Sequence, residues 1–314
     1  MKDYFKFNLQ AQKFLPVWLT FMVLVIVPYI FLAMNVKNVI PPDHPLGLLE
    51  YMGILFLLII IAYAILFYMI KLVIEGVEFK GKSFVFDGSF GQFIGQFLLG
   101  LFWSIITLGI YLPWFITKIR KFFVNNTSHD SNKLEFAGTA GKLFKIMLLT
   151  TFLPIMLLTI VMAGIKLKTA DFDPNSFGLF TNLITLIIMI PYLYYFYNWL
   201  VNIKFKDYTI RWETNFWNSC GKLLWEIILS IITVGIYYPY AILRLYKYFI
   251  EKTFAVSENS KKGFGFELEP REDFLFLWGQ ILLTIITLGI YYPCAYCKIT
   301  SRILGKTFTE QLPE

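Results

Sequence analysis

Charge is scarce in this chain: 16% of its 314 residues are Asp, Glu, Lys or Arg, against 57% hydrophobic and 19% aromatic. A single soluble core has no use for that much apolar surface, so the class is an integral membrane protein. Histidine is nearly absent too. His44 and His129 each adjoin an aspartate in a polar stretch and lack the spacing of a zinc or metalloprotease site. No glycine-rich phosphate loop, serine elbow or paired-carboxylate signature appears, so neither enzyme chemistry, a metal nor a cofactor is expected. Cys220, Cys294 and Cys297 lie in or beside apolar stretches, which excludes a disulfide framework of the secreted kind. Cys294 and Cys297 have redox-motif spacing without the strand-to-helix setting such motifs need, and read as small packing residues. No Pro/Ser-rich linker divides the chain, which reads as one domain over 1–314.

Apolar length is abundant. Runs of about 20 residues, enough to cross roughly 30 Å of hydrocarbon, occur at Phe14 to Met34, Tyr51 to Ile70, Phe97 to Thr117, Ile146 to Ile165, Leu179 to Val201, Leu223 to Leu243 and Phe274 to Tyr296. The first lacks a signal peptide's short apolar core and cleavage site and reads as a retained helix.

One phrase occurs three times: Ile105 to Pro113, Ile231 to Pro239 and Ile285 to Pro293, each reading Ile-Ile-Thr-(Leu/Val)-Gly-Ile-Tyr-(Leu/Tyr)-Pro. A shift of 126 residues lays Gly109 on Gly235 and Thr127 on Thr253; a further shift of 54 lays Gly235 on Gly289 and Thr253 on Thr307. The expected plan is a tandem duplication, repeat 1 about 5–127 and repeat 2 about 133–253, followed by a partial third copy about 262–307. The fold class expected is an all-α polytopic membrane protein of about seven hydrophobic helical segments.

Short alternating boxes separate the runs: Phe84 to Gly88, Leu134 to Gly138, Tyr208 to Trp212, Phe264 to Leu268, and a weaker one at Tyr4 to Asn8. Period-two alternation reads as interfacial strand-like segments that could share a small sheet, or as irregular interfacial loops. A Phe-x-Phe-x-Gly box, an apolar helix ending Thr-Leu-Gly-Ile-Tyr-x-Pro-Trp, then a basic aromatic stretch and Asn-Thr, resembles the YjgN-like family of bacterial inner-membrane proteins. The match is fullest over Phe84 to Thr127; Tyr240 and Cys294 depart from it at the place of Trp114. The resemblance implies an inner-membrane location and supplies no activity, because the family is itself functionally uncharacterised.

Charge favours one topology. If every segment spans, the 28 Lys and Arg divide evenly between the faces; if the three phrase-bearing segments fold back, only Lys37, Lys166 and Lys168 lie across the membrane. Re-entrant segments are therefore favoured, although a deep turn would draw Lys118 into hydrocarbon at a cost of at least ~2.5 kcal/mol.

The candidate intramembrane polar site is Glu226 with Gln280 and the hydroxyl pairs Ser104/Thr107, Ser230/Thr233 and Thr284/Thr287. A carboxylate there suits a proton or cation, although pairing with Lys222 four residues earlier is the plainer reading. The candidate anionic-lipid or ligand site is Lys118, Arg120, Lys121, Arg244, Lys247, Lys298 and Arg302, which also suit ordinary positive-inside anchoring. Gly109, Pro113, Gly235, Pro239, Gly289 and Pro293 are the structural turn residues. The net charge of +7 flanks hydrocarbon-length segments, so the expected partner is the lipid bilayer with its anionic phospholipids and not nucleic acid. Function reads as transport or channel-like handling of a small or lipidic anion; a non-transporting, phospholipid-organising scaffold is the alternative, and an intramembrane enzyme comes last.

Overall fold

The computed structural model describes residues 2–34, 45–168 and 174–312. Strands and helical pairs alternate along them. β1 (Lys2–Phe7) leads into α1 (Ala11–Met34) and α2 (Pro45–Gly76); β2 (Val77–Phe79), β3 (Lys82–Ser83) and β4 (Val85–Phe86) lead into α3 (Phe90–Ile106) and α4 (Leu112–Asn125). β5 (Thr127–His129) and β6 (Asn132–Phe136) precede α5 (140–168) and α6 (Pro174–Leu200), and β7 (Ile203–Phe205) and β8 (Tyr208–Trp212) precede α7 (Phe216–Ile232) and α8 (Tyr238–Glu251). β9 (Thr253–Val256) and β10 (Lys261–Phe266) precede α9 (Pro270–Ile286) and α10 (Tyr292–Gly305), and β11 (Thr307–Gln311) ends the series.

The strands form one antiparallel sheet in the order β3-β2-β1-β11-β10-β9-β8-β7-β6-β5-β4. Its two ends are consecutive pieces of one extended run, residues 82–86. The start of that run pairs with β2 (Glu78↔Ser83) and its end with β5 (Val85↔Ser128), with Phe84 N donating to Val77 O at 3.0 Å. Pairing of β1 with β11 (Tyr4↔Phe308) joins the chain ends. The sheet is thus a nearly closed, up-and-down barrel, an arrangement that leaves no long exposed edge.

Among the described residues, all five helical pairs leave from one rim of this barrel and return to it. Each departure is tied to its return by the same backbone bond: Asn8 N to Gly76 O, Asp87 N to Asn126 O, Ala137 N to Asn202 O, Glu213 N to Lys252 O and Glu267 N to Lys306 O, all 2.8–3.0 Å. Three first arms start at polar caps, where Ser89, Thr139 and Asn215 accept from free amides of the first turn. The junctions hold the core. Strand-terminal Phe7, Phe86 and Phe136 pack with Phe14, Phe93 and Leu143 of the arms that follow them. Neighbouring helices touch around the ring, and α10 packs back on α1.

The all-α, seven-segment expectation is corrected here. An eleven-stranded sheet is present, and among the described residues four helices, not seven, are long and apolar enough to cross a membrane: Ala11–Met34, Gly47–Gly76, Ala140–Gly164 and Thr181–Leu200. The other three apolar runs pass through a turn built of apolar residues, so a hydropathy reading cannot see the break. The strands are two to six residues long, and besides four local hairpins their pairing comes from partners far away in sequence, such as β1 with β11 and β6 with β7. Residues 5–127 and 133–253 each hold one long and one short helical pair, and 262–307 holds a short one. The boxes at Phe84, Leu134, Tyr208, Phe264 and Tyr4 fall on or beside β4, β6, β8, β10 and β1.

Candidate functional site

The three short pairs share one turn. Leu108 and Gly109 (φ 50° and 88°), Val234 and Gly235 (50° and 83°), and Leu288 and Gly289 (50° and 86°) all adopt left-handed backbone, a conformation that glycine tolerates and β-branched Val234 does not favour. Pro113, Pro239 and Pro293 stand in the first turn of each return helix, where a missing N–H leaves nothing unpaired. The candidate hydroxyls are consumed locally. Ser104, Ser230 and Thr284 donate to carbonyls four residues back, and Thr107, Thr233 and Thr287 do the same while accepting from the amides of Tyr111, Tyr237 and Tyr291 at 3.0–3.1 Å. Neighbouring helices cover two of the turns: Trp278 Nε1 donates to Ile236 O and Trp18 Nε1 to Gly289 O, both at 2.9 Å.

Nine residues before the turn glycine stand Gly100, Glu226 and Gln280, and six residues after it stand Phe115, Ala241 and Ala295. The two positions face each other and trade volume. Glu226 is 1% exposed; Tyr237 Oη donates to its Oε2 at 2.8 Å, and Arg244 Nη1 donates onward to Tyr237 Oη at 2.7 Å. Lys222 Nζ lies 2.7 Å and Arg244 Nε 3.4 Å from Oε1, as ion pairs without hydrogen-bond alignment. Gln280 accepts from Tyr291 Oη at 3.0 Å, and Lys298 Nζ donates to that hydroxyl at 2.9 Å. In the first short pair the ring of Phe115 fills this space: a Cβ on Gly100 would sit 2.1 Å from it. Lys118 there lies over the face of Tyr111, 5.6 Å away, and has no ion pair among the described residues.

The seven candidate cations do not converge on one site. Arg244 belongs to the Glu226 cluster, Lys298 caps Tyr291, Lys247 pairs with Glu251 at 3.6 Å, and Arg302 binds Asp273 at 2.6 Å. Lys118 and Lys121 line an outward cleft with Gln92, Gln96 and Asn125. Arg120, between them in sequence, faces the other way.

Arg120 lies on the wall of an open cavity of about 660 Å3 bordered by α2, α4 and α6, with Tyr63, Ile70, Ile74, Phe115, Ile119 and Phe196 among its apolar lining. Its Nη2 donates to Leu200 O at 3.3 Å, its guanidinium lies 5.7 Å from the Phe136 ring, and its Nε is buried with no partner. The same cavity reaches Val77, Thr127 and Ile203, the first residues of strands returning from the helices. Beneath it lies the barrel lumen, about 450 Å3, and Phe84 and Leu134 border both spaces. Sequence reasoning singled out Arg120 but missed this chamber. The available signal was spacing: Ile116, Arg120 and Phe123 recur at three-to-four-residue intervals, with Phe115 and Ile119 beside them on one helix face, away from Lys118 and Lys121.

At the opposite rim, the carboxyl of Asp130 is held below the usual carboxylate range by a hydrogen bond from Lys82, with Lys206 also near at 3.5 Å. The Tyr208 hydroxyl is held below its ordinary value by hydrogen bonds from Ser260 and Lys262.

Two curated relatives share part of the sequence. The inner membrane protein YjgN of Escherichia coli strain K12 is 30% identical over 95 residues, covering 30% of this chain and 24% of the relative. That of Salmonella typhimurium is 29% identical over 92 residues, 29% of this chain and 23% of the relative. The matched stretch thus spans about a quarter of those proteins' length. No solved structure matches. With relatives of that name and four apolar helices of spanning length, the chain is an inner-membrane protein. Residues 3–265 match the family described as "Bacterial protein of unknown function (DUF898)", and the chain belongs to that family.

Proposed function

We propose that this protein handles a lipidic anion at the junction between the bilayer and its barrel. The carrying observation is the chamber under Arg120: apolar walls sized for a ligand in the ~300–1,000 Å3 range, with one cation whose Nε has no protein partner. An acyl chain satisfies the walls and a phosphate or carboxylate the guanidinium.

In this reading the helices enter the membrane from one side and the barrel stays in water. The two long pairs cross. The short pairs, with first arms of 17 residues or about 25 Å, fall short of roughly 30 Å of hydrocarbon and re-enter from the face they left. Their tips are suited to lipid, with Leu108, Val234 and Leu288 exposed by 94%, 90% and 83%. Lys118 stands six residues past the start of its return helix, about 9 Å along it, and shares an outward cleft with Lys121 and Gln92, so this reading requires the first short pair to enter only as deep as lets those groups reach the headgroups. Of the three cations assigned to the far face, Lys37 lies outside the described residues. Lys166 and Lys168 end the helix that leads away from the barrel, so the positive-inside bias supports a barrel on the cytoplasmic side in this reading.

A second reading, a non-transporting and phospholipid-organising scaffold, is favoured by the pairing of Glu226 with Tyr237, Lys222 and Arg244 and by the local hydrogen bonds of the turn hydroxyls. Lipid analysis of purified protein separates the readings. Handling through the chamber requires a co-purifying anionic lipid whose occupancy falls about tenfold in Arg120→Gln and stays constant in Lys121→Gln. The reverse pattern supports the scaffold and removes the chamber.

A further inference from the structure

We infer that the barrel lumen is a second binding site, taking a single-chain anionic amphiphile, a fatty-acid-like carboxylate, from the aqueous side. This goes beyond the chamber reading and stands on the barrel alone.

Every strand except β4 contributes to the lumen wall, and the inward side chains at mid-barrel are apolar: Phe5, Phe79, Phe205, Ile210 and Phe264, with Phe84 at the floor towards the chamber. A barrel of this size encloses either packed side chains or one small ligand, and here about 450 Å3 remains free. The wall therefore calls for an aliphatic chain.

The mouth calls for an anion. It lies at the rim of tight turns, away from the helices, and carries Lys80, Lys82, Lys206 and Lys262. The carboxylates that answer them are fewer: Asp3 pairs with Lys80 at 2.7 Å, and Asp130 is shared between Lys82 and Lys206. Lys262 has no ion pair among the described residues and rests 4.3 Å from the Tyr208 ring. Asp207 in the β7–β8 turn adds a third carboxylate beside Tyr208, but among the lining side chains four are cations and Asp130 the one acid, so the mouth lining is positive and a charged head is held there while its tail is out of water. One narrow lumen with one wet mouth fits one chain, whereas a two-chain phospholipid would have to leave one tail outside.

His129 fixes the place where the ring closes. From β5 its Nε2 reaches Phe79 O at 3.0 Å and Lys82 O at 3.2 Å across the seam, and its ring lies 4.7 Å from that of Phe84. The seam, the floor residue and the mouth are therefore joined by direct contacts, which favours a preformed site.

The test is photolabelling of the full chain in phosphatidylcholine nanodiscs with a diazirine-bearing palmitic acid, mapped by peptide mass spectrometry. The inference expects label on the strands carrying Phe205 and Phe264. Labelling there should fall at least tenfold in Ala255→Phe, which fills the lumen, and severalfold in Lys82→Gln/Lys262→Gln, which discharges the mouth without adding bulk. Arg120→Gln should leave it unchanged, so that loss of the chamber reading does not carry this one with it. Palmitate should compete, and added phosphatidylglycerol should not. Absence of label on those strands, label indifferent to both lumen variants, or equal competition by phosphatidylglycerol would overturn the inference.

Discussion

The first short helical pair and the other two are built on the same turn and filled in opposite ways. In the second and third, an alanine six residues past the glycine makes room for Glu226 or Gln280, and a tyrosine and a cation close over the polar group. In the first, Phe115 takes that room against Gly100 and also walls the chamber. Eleven residues past the turn glycine the contrast repeats. Arg120 faces the chamber, whereas Tyr246 bonds Thr307 at 3.0 Å and Thr300 carries no charge. The lesson is that turn and hydroxyls are scaffolding, and the pair lacking a buried polar cluster is the one that borders an open, ligand-sized space.

Breaking this contrast at its tightest point gives the largest effect. Gly100→Glu places bulk against Phe115 and a carboxylate with no room to pair, and we expect a loss above ~3 kcal/mol, or failure to fold. Adding Phe115→Ala converts the site to the second type, with Tyr111 and Lys118 in place, and should recover most of that loss; thermal unfolding in detergent reads both. Next comes Glu226→Ala, which leaves Lys222, Arg244 and Tyr237 without their acid and should cost ~3–5 kcal/mol. Gln280→Ala, at a neutral site, should cost ~1–2 kcal/mol. If the two are equal, the distinction between charged and neutral clusters is wrong. Arg120→Leu should be near neutral or slightly stabilising, because it removes an incompletely paired cation from an apolar wall, while Arg244→Leu should lower the melting temperature.

The smallest effect is acid sensitivity of the two barrel rims. Asp130 on the turn rim is held down by Lys82, and Glu267 on the helix rim by hydrogen bonds from Lys2 and Tyr4. Carboxyls depressed in the folded state add stability above their ordinary value near pH 4, and that stability is lost as pH falls through the lower folded value. The melting temperature should therefore hold from pH 7 to about 5 and drop below about 4, with a shallower drop in Asp130→Asn.

What the sequence made legible was local. The glycine–proline phrase announces a helix break because glycine admits left-handed backbone and proline suits a first turn, and Ser104, Thr107 and their counterparts announce carbonyls to be satisfied. The alternating boxes announce extended chain. Closure was not legible, since it depends on β1 meeting β11 across the whole chain and on residues 82–86 serving two neighbours. The number of crossings was misread for a related reason: Leu-Gly-Ile-Tyr at the turn is as apolar as the helices it separates. Grouping Lys118, Arg120 and Lys121 as one cationic patch ignored that a step of two on a helix changes face. The exchange of Gly100 and Phe115 for Glu226 and Ala241 was visible in the aligned phrases, but its meaning needed the two arms to be seen facing each other.

All helical pairs return to the rim they left, and the proposed arrangement then has every turn of the barrel on one side of the bilayer. Single cysteines at Ser131 and Ser257, in the β5–β6 and β9–β10 turns of a chain cleared of Cys220, Cys294 and Cys297, test this with a membrane-impermeant thiol reagent on oriented vesicles. Both should label from the same face as a cysteine at Lys2; labelling of Ser131 and Ser257 from opposite faces would contradict the account.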